Sequence, residues 1–199
     1  MKVSVIFAVA ALLVAGVAEA AVVSLIPSTT SVASGSQLTV EVVVAGLGSG
    51  QVVGGFDLDI VFDASILSAS NVIFGTSLGL NGVNQFSSSI LSAGRIDLAA
   101  VSLLSGVDLI ALQTGSFSIA QLTFDALVSG LTDIRFDLLT TPGLLFSDEF
   151  GNALPVTVGS EASVTVTAAG GTVPTPGSLS LVLLSLILIP ITRTLYRLT

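Results

Sequence analysis

Phe56-Asp57-Leu58-Asp59-Ile60-Val61-Phe62 sets Phe56, Leu58, Ile60 and Phe62 at every second position, with Asp57 and Asp59 between them. A strand projects successive side chains to opposite sides, so this stretch sorts into one apolar face and one face carrying both carboxylates. The same period recurs on either side. Leu38-Thr39-Val40-Glu41-Val42-Val43-Val44 turns Glu41 outward, and Leu122–Val128, Ile134–Leu138 and Ser163–Thr167 repeat the alternation. Turn material separates these runs: Ser34-Gly35-Ser36, Gly48-Ser49-Gly50, Ala93-Gly94, Ser129-Gly130 and Gly151-Asn152. Away from the two ends, no stretch long enough for a typical helix keeps a helical period. The count comes to about nine or ten short strands. The expected fold class is all-β, an antiparallel two-sheet β-sandwich, with nine Phe mostly on inward positions.

Composition narrows the function. The chain of 199 residues is 52% hydrophobic and 9% charged, and it has no Cys, His or Trp. Disulfides, His- or Cys-ligated metals, thiol nucleophiles and Ser-His-Asp triads are thereby excluded. Between residues 21 and 172 stand nine Asp and three Glu against Arg95 and Arg135, a net charge of −10 with no Lys. Such a surface repels phosphate backbones, so nucleic acid is excluded as a partner. A Ser-Lys dyad has no lysine to use. Glycoside hydrolysis needs paired carboxylates beside a sugar-gripping cleft, and the segment lacks the Trp and Tyr that line such clefts. The expectation is that the protein is not an enzyme.

Both ends are apolar. Behind Lys2, residues 3–17 form an unbroken apolar and small-residue run, and Ala18-Glu19-Ala20 offers a small-x-small site for cleavage after Ala20. Residues 1–20 are read as a secretory signal peptide. At the other end, Leu179–Ile191 is interrupted by Ser180, Ser185 and Pro190 alone, and Arg193 and Arg197 follow. A helix over about 179–195 rises roughly 25 Å, slightly short of a ~30 Å hydrocarbon core, with Arg193 snorkelling to the headgroups. The two arginines hold that end inside, which places residues 21–172 outside the inner membrane.

Two resemblances follow from these residues. Val173-Pro174-Thr175-Pro176, a Leu-rich helix and terminal arginines resemble a PEP-CTERM sorting signal over residues 173–199, departing at Thr175 where the family usually has Glu. The resemblance implies processing by an exosortase-type membrane protease. It also implies transient residence in the inner membrane, then delivery to the cell surface or extracellular polysaccharide matrix of a Gram-negative bacterium. Within 22–167 the order of elements resembles a cohesin. Val-Ser-Leu-Ile-Pro and Val32-Ala-Ser-Gly-Ser-Gln-Leu-Thr-Val look like its opening strands. Gly55–Leu67, Ala120–Leu127 and Leu144–Leu154 are similar to its later stretches. This implies a jelly-roll sandwich that binds a dockerin-like protein, or, as in related sandwiches, a polysaccharide. No docking residue is assigned by motif. A membrane-anchored adhesion protein with a protein partner is the other alternative.

Two acidic groups invite a metal reading. Asp57 and Asp59 lie about 7 Å apart on one strand face, where a flat backbone does not wrap an ion; they are expected as solvated outer-face carboxylates. Asp63 is expected to cap the turn Ala64-Ser65-Ile66. Ser147-Asp148-Glu149-Phe150-Gly151-Asn152 lacks EF-hand spacing and is read as a hairpin loop between strands 144–147 and 153–158. No cofactor and no metal is expected, with a weak Ca²⁺ site at Asp148, Glu149 and Asn152 kept as the alternative.

Overall fold

The computed structural model describes residues 20–139 and 143–170. Ala18, Pro174, Thr175, Pro176, Arg193 and Arg197, and with them nearly all of the expected signal peptide and the whole sorting segment, lie outside the described residues. Among the described residues no helix is long and apolar enough to cross a membrane.

The elements run β1 (Ala21–Pro27), β2 (Ser31–Ala33), β3 (Gln37–Ala45), β4 (Gly55–Val61), β5 (Leu67–Phe74), β6 (Gln85–Ser92) and β7 (Arg95–Ser102). Then come α1 (Gly106–Leu112), β8 (Ser116–Ala126), β9 (Gly130–Phe136), β10 (Leu144–Ser147), β11 (Val156–Val158) and β12 (Ala162–Thr167). One sheet is ordered β11-β1-β3-β8-β5 and the other β2-β12-β9-β4-β7-β6, with β10 also paired to β4. The two-sheet sandwich expected from the alternation is present. Among the described residues there are twelve strands against the nine or ten expected, two of them, β2 and β11, only three residues long.

Pairing is antiparallel except at two places. β1 pairs β11 in parallel, and β12 pairs β2 in parallel. The purely antiparallel expectation is corrected there: chain segments far apart in sequence seal the outer positions of both sheets. The second correction concerns 144–158. A bridge joins Ser147 to Ala153, and the Leu154 N–H donates to the Phe146 carbonyl at 2.9 Å, so a tight hairpin does form. It ends there. β10 adds to β4 while β11 adds to β1 in the other sheet, so the chain changes layers after Leu154.

The core lies between the sheets and follows the period-2 faces. Leu38, Val40, Val42 and Val44 of β3 are buried while Glu41 is exposed. On β8 the buried positions shift parity at Ile119 and Ala120, where Ile119 is the extra residue of a bulge facing Val42 and Val43. The extra residue re-aims the strand and lets both of its halves face the core. From the facing sheet come Leu58 and Ile60 of β4, Ile96 and Leu98 of β7, and Phe146 of β10. Phe62 meets Phe124 edge-on with ring centroids 5.2 Å apart, joining the layers. α1 opens on Ser105, whose hydroxyl accepts from the Asp108 N–H, and it buries Leu109. Its closing residue Gln113 donates to the carbonyls of Val53 and Ser77, at 2.7 and 3.1 Å, and accepts from the Val53 N–H.

Phe124 is fully buried in this packing. Phe124→Ala is expected to lower the unfolding free energy by about 3–5 kcal/mol through lost transfer energy and the cavity left behind. Urea denaturation followed by far-UV circular dichroism measures it.

Candidate functional site

The outer face of β4, β6, β7 and β10 is built in cross-strand rows. The first row is Phe86–Val101–Gly55–Ser147 and the second Ser88–Ala99–Asp57–Leu145. The third is Ile90–Asp97–Asp59, and the fourth Ser92–Arg95–Val61–Arg135. Phe86, Val101, Leu145 and Ile90 are each about half exposed, at 54%, 49%, 48% and 61%. Between Val101 and Leu145 the missing side chain of Gly55 leaves a shallow depression of about 180 Å³, bordered by Asp57 and Ser147. A Cβ at Gly55 would stand 3.1 Å from the Ser147 hydroxyl and 3.2 Å from the Ala100 carbonyl. The result is a nearly flat apolar surface with one dent and acids on one side. Such a surface suits a protein partner rather than a small substrate.

Asp59 corrects the expectation of a solvated carboxylate. It is 4% exposed. Arg95 grips it with two bonds, Nη2 at 2.6 Å and Nε at 3.0 Å, and reaches the Asp137 carboxylate through Nη1 at 3.2 Å. The reason lies in the backbone. β9 leaves β4 after two paired residues, and β10 takes over the same edge of β4. At that junction the Asp59 carbonyl accepts from the Asp137 N–H and the Asp59 N–H donates to the Gly143 carbonyl. The chain on both sides of the junction therefore shields a carboxylate that the strand pattern alone leaves in water. The hydrogen bond that Arg95 donates to Asp59, then the charges of Asp59 and Asp137, hold the guanidinium above its ordinary pKa. Asp57, one step along, is pushed up by burial first and then by Asp97 and Asp59.

The other acidic residues serve turns. Asp63 Oδ1 accepts from the Ser65 hydroxyl at 2.6 Å and the Ser65 N–H at 2.8 Å, which holds its carboxyl below the usual range. This is the expected turn. Asp148 Oδ1 accepts from the N–H groups of Phe150 and Asn152, and its Oδ2 from the Asn152 amide at 2.9 Å. These bonds, the Asn152 side chain foremost, lower the Asp148 pKa. Glu149 turns away and packs against Gly106 at the start of α1. Asp148 and Asn152 thus come together while Glu149 does not join them. Among the described residues no three acidic side chains gather as a metal site. Ala20, the last residue of the expected signal, directly precedes β1, whose first residue Ala21 is fully buried.

Sequence reasoning did not find Arg95, Asp137, Phe86, Val101 or Leu145. The available signal was Arg95, one of two cations in 21–172, set on a strand opposite an acidic one.

Fold and open face together define a β-sandwich interaction module. The family model for the Cohesin domain matches residues 22–166, and the chain belongs to that family, whose domains are non-catalytic. No curated protein matches it. Among solved structures, a cohesin of Clostridium acetobutylicum in solution aligns with a TM-score of 0.56 and 21% identity, over 75% of this chain and 92% of that one. A type II cohesin–X-dockerin complex from Acetivibrio cellulolyticus aligns with a TM-score of 0.60 and 15% identity, over 74% and 99%. The seventh type I cohesin of a Pseudobacteroides cellulosolvens scaffoldin gives 0.57 and 19%, over 77% and 96%. At these identities the likeness concerns the fold.

Asp57 supplies a pH test. Its pKa is raised in the fold, so its protonated form is the one that folding favours. That contribution is complete in acid and is lost as the pH rises through the folded pKa. Asp57→Asn is therefore expected to raise the melting temperature at pH 7 by about 1–2 °C. The gain should shrink toward zero as the pH falls below the carboxylate range, read by paired thermal melts.

Proposed function

We propose that this chain is an exported cohesin module that captures a dockerin-type partner on the open face of β4, β6, β7 and β10. The observation that carries the reading is the dent at Gly55 between half-exposed Val101 and Leu145, with Asp57 beside it. A partner helix or loop can seat an apolar knob there and set a cation against Asp57 and Asp97. Family membership and the fold shared with cohesins solved in complex with dockerins support it. Polysaccharide capture has less behind it. Among the described residues the exposed aromatic side chains are Phe86 and Phe150, and neither tryptophan nor tyrosine is present to stack on a sugar.

Binding is tested by titrating the protein against a panel of dockerins in a calorimeter. Micromolar or tighter binding to at least one is expected, weakened more than tenfold by Val101→Asp with Leu145→Asp at an unchanged melting temperature. No binding across the panel, or binding indifferent to the double variant, overturns the reading.

Delivery is the second half of the proposal. A signal peptide over 1–20 is cut after Ala20, and an exosortase-type protease cuts near 173–176, releasing the domain from the inner membrane to the surface or matrix. Two features of the fold support these positions: β1 begins at Ala21, and β12 ends at Thr167, short of Pro174. Intact-mass analysis of protein from the native envelope or medium should find an N-terminus at Ala21 and a C-terminus near 173–176. Thr175→Glu should speed the second cut, and Pro174→Ala with Pro176→Ala should block it. Mature protein that ends at Thr199 leaves a membrane-anchored surface protein instead.

A further inference from the structure

Among the described residues, β11 and β5 end one strand order and β2 and β6 the other, while the four-residue β10 adds beside β4 off that path. Native sheets blunt such edges, because a row of unpaired N–H and C=O groups is a template for another strand. Here β2 and β11 are three residues long, and β5 is broken by an irregularity between Ala69 and Asn71. β6 has no such protection. Gln-Phe-Ser-Ser-Ser-Ile-Leu-Ser runs eight residues in unbroken register with β7, without a charge or a proline.

The direction of its free groups follows from its neighbours. The Ser102 N–H donates to Gly54, on the far side of β7, and the Leu103 N–H donates to the Asn84 carbonyl. Gln85, opposite Ser102, instead bonds through both its N–H and its carbonyl to residues 80 and 82. Backbone groups alternate along a strand, so Phe86, Ser88 and Ile90 bond to β7, while Ser87, Ser89 and Leu91 point away from the sheet. Among the described residues, the Ser87 hydroxyl is also buried with no hydrogen-bond partner.

We infer that β6 is a self-association edge, pairing antiparallel with β6 of a second copy about a two-fold axis at Ser88. Charge selects the occupant. The domain carries −10 between residues 21 and 172, yet from Ala64 to Gly94, the segment holding β5 and β6, there is no charged residue. Two copies of this acidic body meet with least repulsion along that side. The strand is also complementary to itself. A two-fold at Ser88 sets Ser87 against Ser89, both with outward backbone groups, so that four N–H···O bonds close around the axis. It places the Ser89 hydroxyl of the second copy across from the unpartnered Ser87 hydroxyl, and Phe86 across from Ile90 on the open face. The arrangement is isologous and closes at two.

The test uses the full chain in mild detergent and reads self-association alone, without any partner. The chain has no native cysteine, so Ser88→Cys introduces a single thiol at the axis. Non-hydrogen-bonded antiparallel pairs bring Cα atoms to about 4.5 Å, within disulfide range. Under mild oxidation Ser88→Cys should form covalent dimer at least tenfold faster than Ser163→Cys, an exposed control on β12. Adding Ser89→Pro removes one outward N–H without touching the β7 ladder, and the rate should fall to that of the control. Ile90→Lys, an exposed change opposite Phe86 of the second copy, does the same where the proline variant fails to fold by circular dichroism. Equal rates for Ser88→Cys and Ser163→Cys overturn the inference. So does crosslinking that persists in folded Ser89→Pro or Ile90→Lys, which places the contact elsewhere or gives the edge to a different strand.

Discussion

The bidentate grip of Arg95 on Asp59 is where the second sheet is held together. β4 lies at the centre of that sheet, with β7 on one edge and, on the other, β9 for two residues and then β10. An edge divided between two strands leaves a gap in the ladder, and backbone groups in such a gap must find partners or lose stability. Asp59 sits at the gap. Its main chain bonds to both flanking segments, and its carboxylate draws Arg95 across from β7, which in turn holds Asp137 at the exit of β9. One guanidinium thus connects β4, β7 and the end of β9. Arg135, by contrast, stands exposed on the same face.

This pair, with Asp59 buried and Arg95 partly exposed, also shapes the surface beside it. Asp57 and Asp97 extend the acidic row toward the apolar one, and burial, then the charges of Asp97 and Asp59, push the Asp57 carboxyl up. A cation brought against these carboxylates relieves that repulsion, whereas an apolar group finds the Gly55 dent. Anion and dent sit on neighbouring strands with paired backbones. The geometry is rigid, as an interaction surface needs if little ordering is to be lost on binding.

The sandwich was legible because it rests on period-2 burial, which side-chain chemistry displays directly. Leu38 to Val44, Phe56 to Phe62 and Ser163 to Thr167 show inside and outside without reference to anything else. What stayed hidden depends on partners distant in sequence. Nothing near Ala21 or Ser31 announces parallel neighbours at Val156 or Thr165, more than a hundred residues on. The change of layer after Leu154 leaves no local mark either. Asp59 misled for the same reason: its position in the strand points outward, and what covers it arrives from Asp137 and Gly143. The turn at Asp63 could be read because its partner, Ser65, stands two residues away. The open face was the least legible, since Val101 and Leu145 resemble any strand residues until register brings them beside Gly55.

The distribution of charge ties these observations together. A domain with so few cations has little freedom in where it neutralises acids, and Arg95 is committed to Asp59 and Asp137 on the outer face of one sheet. Among the other carboxylates, Asp63 and Asp148 cap turns and Glu41 stands on a strand face. Neither use places a charge within β5 or β6 themselves, where the sandwich is closed by polar but uncharged serines and by Ile73, Phe86 and Ile90. Edge protection by charge is thus missing on the side where edge protection by length is missing too. An acidic protein that merely had to remain soluble gains nothing from leaving both devices off one strand. The combination is consistent with a surface kept free for another strand, next to a face kept free for another protein.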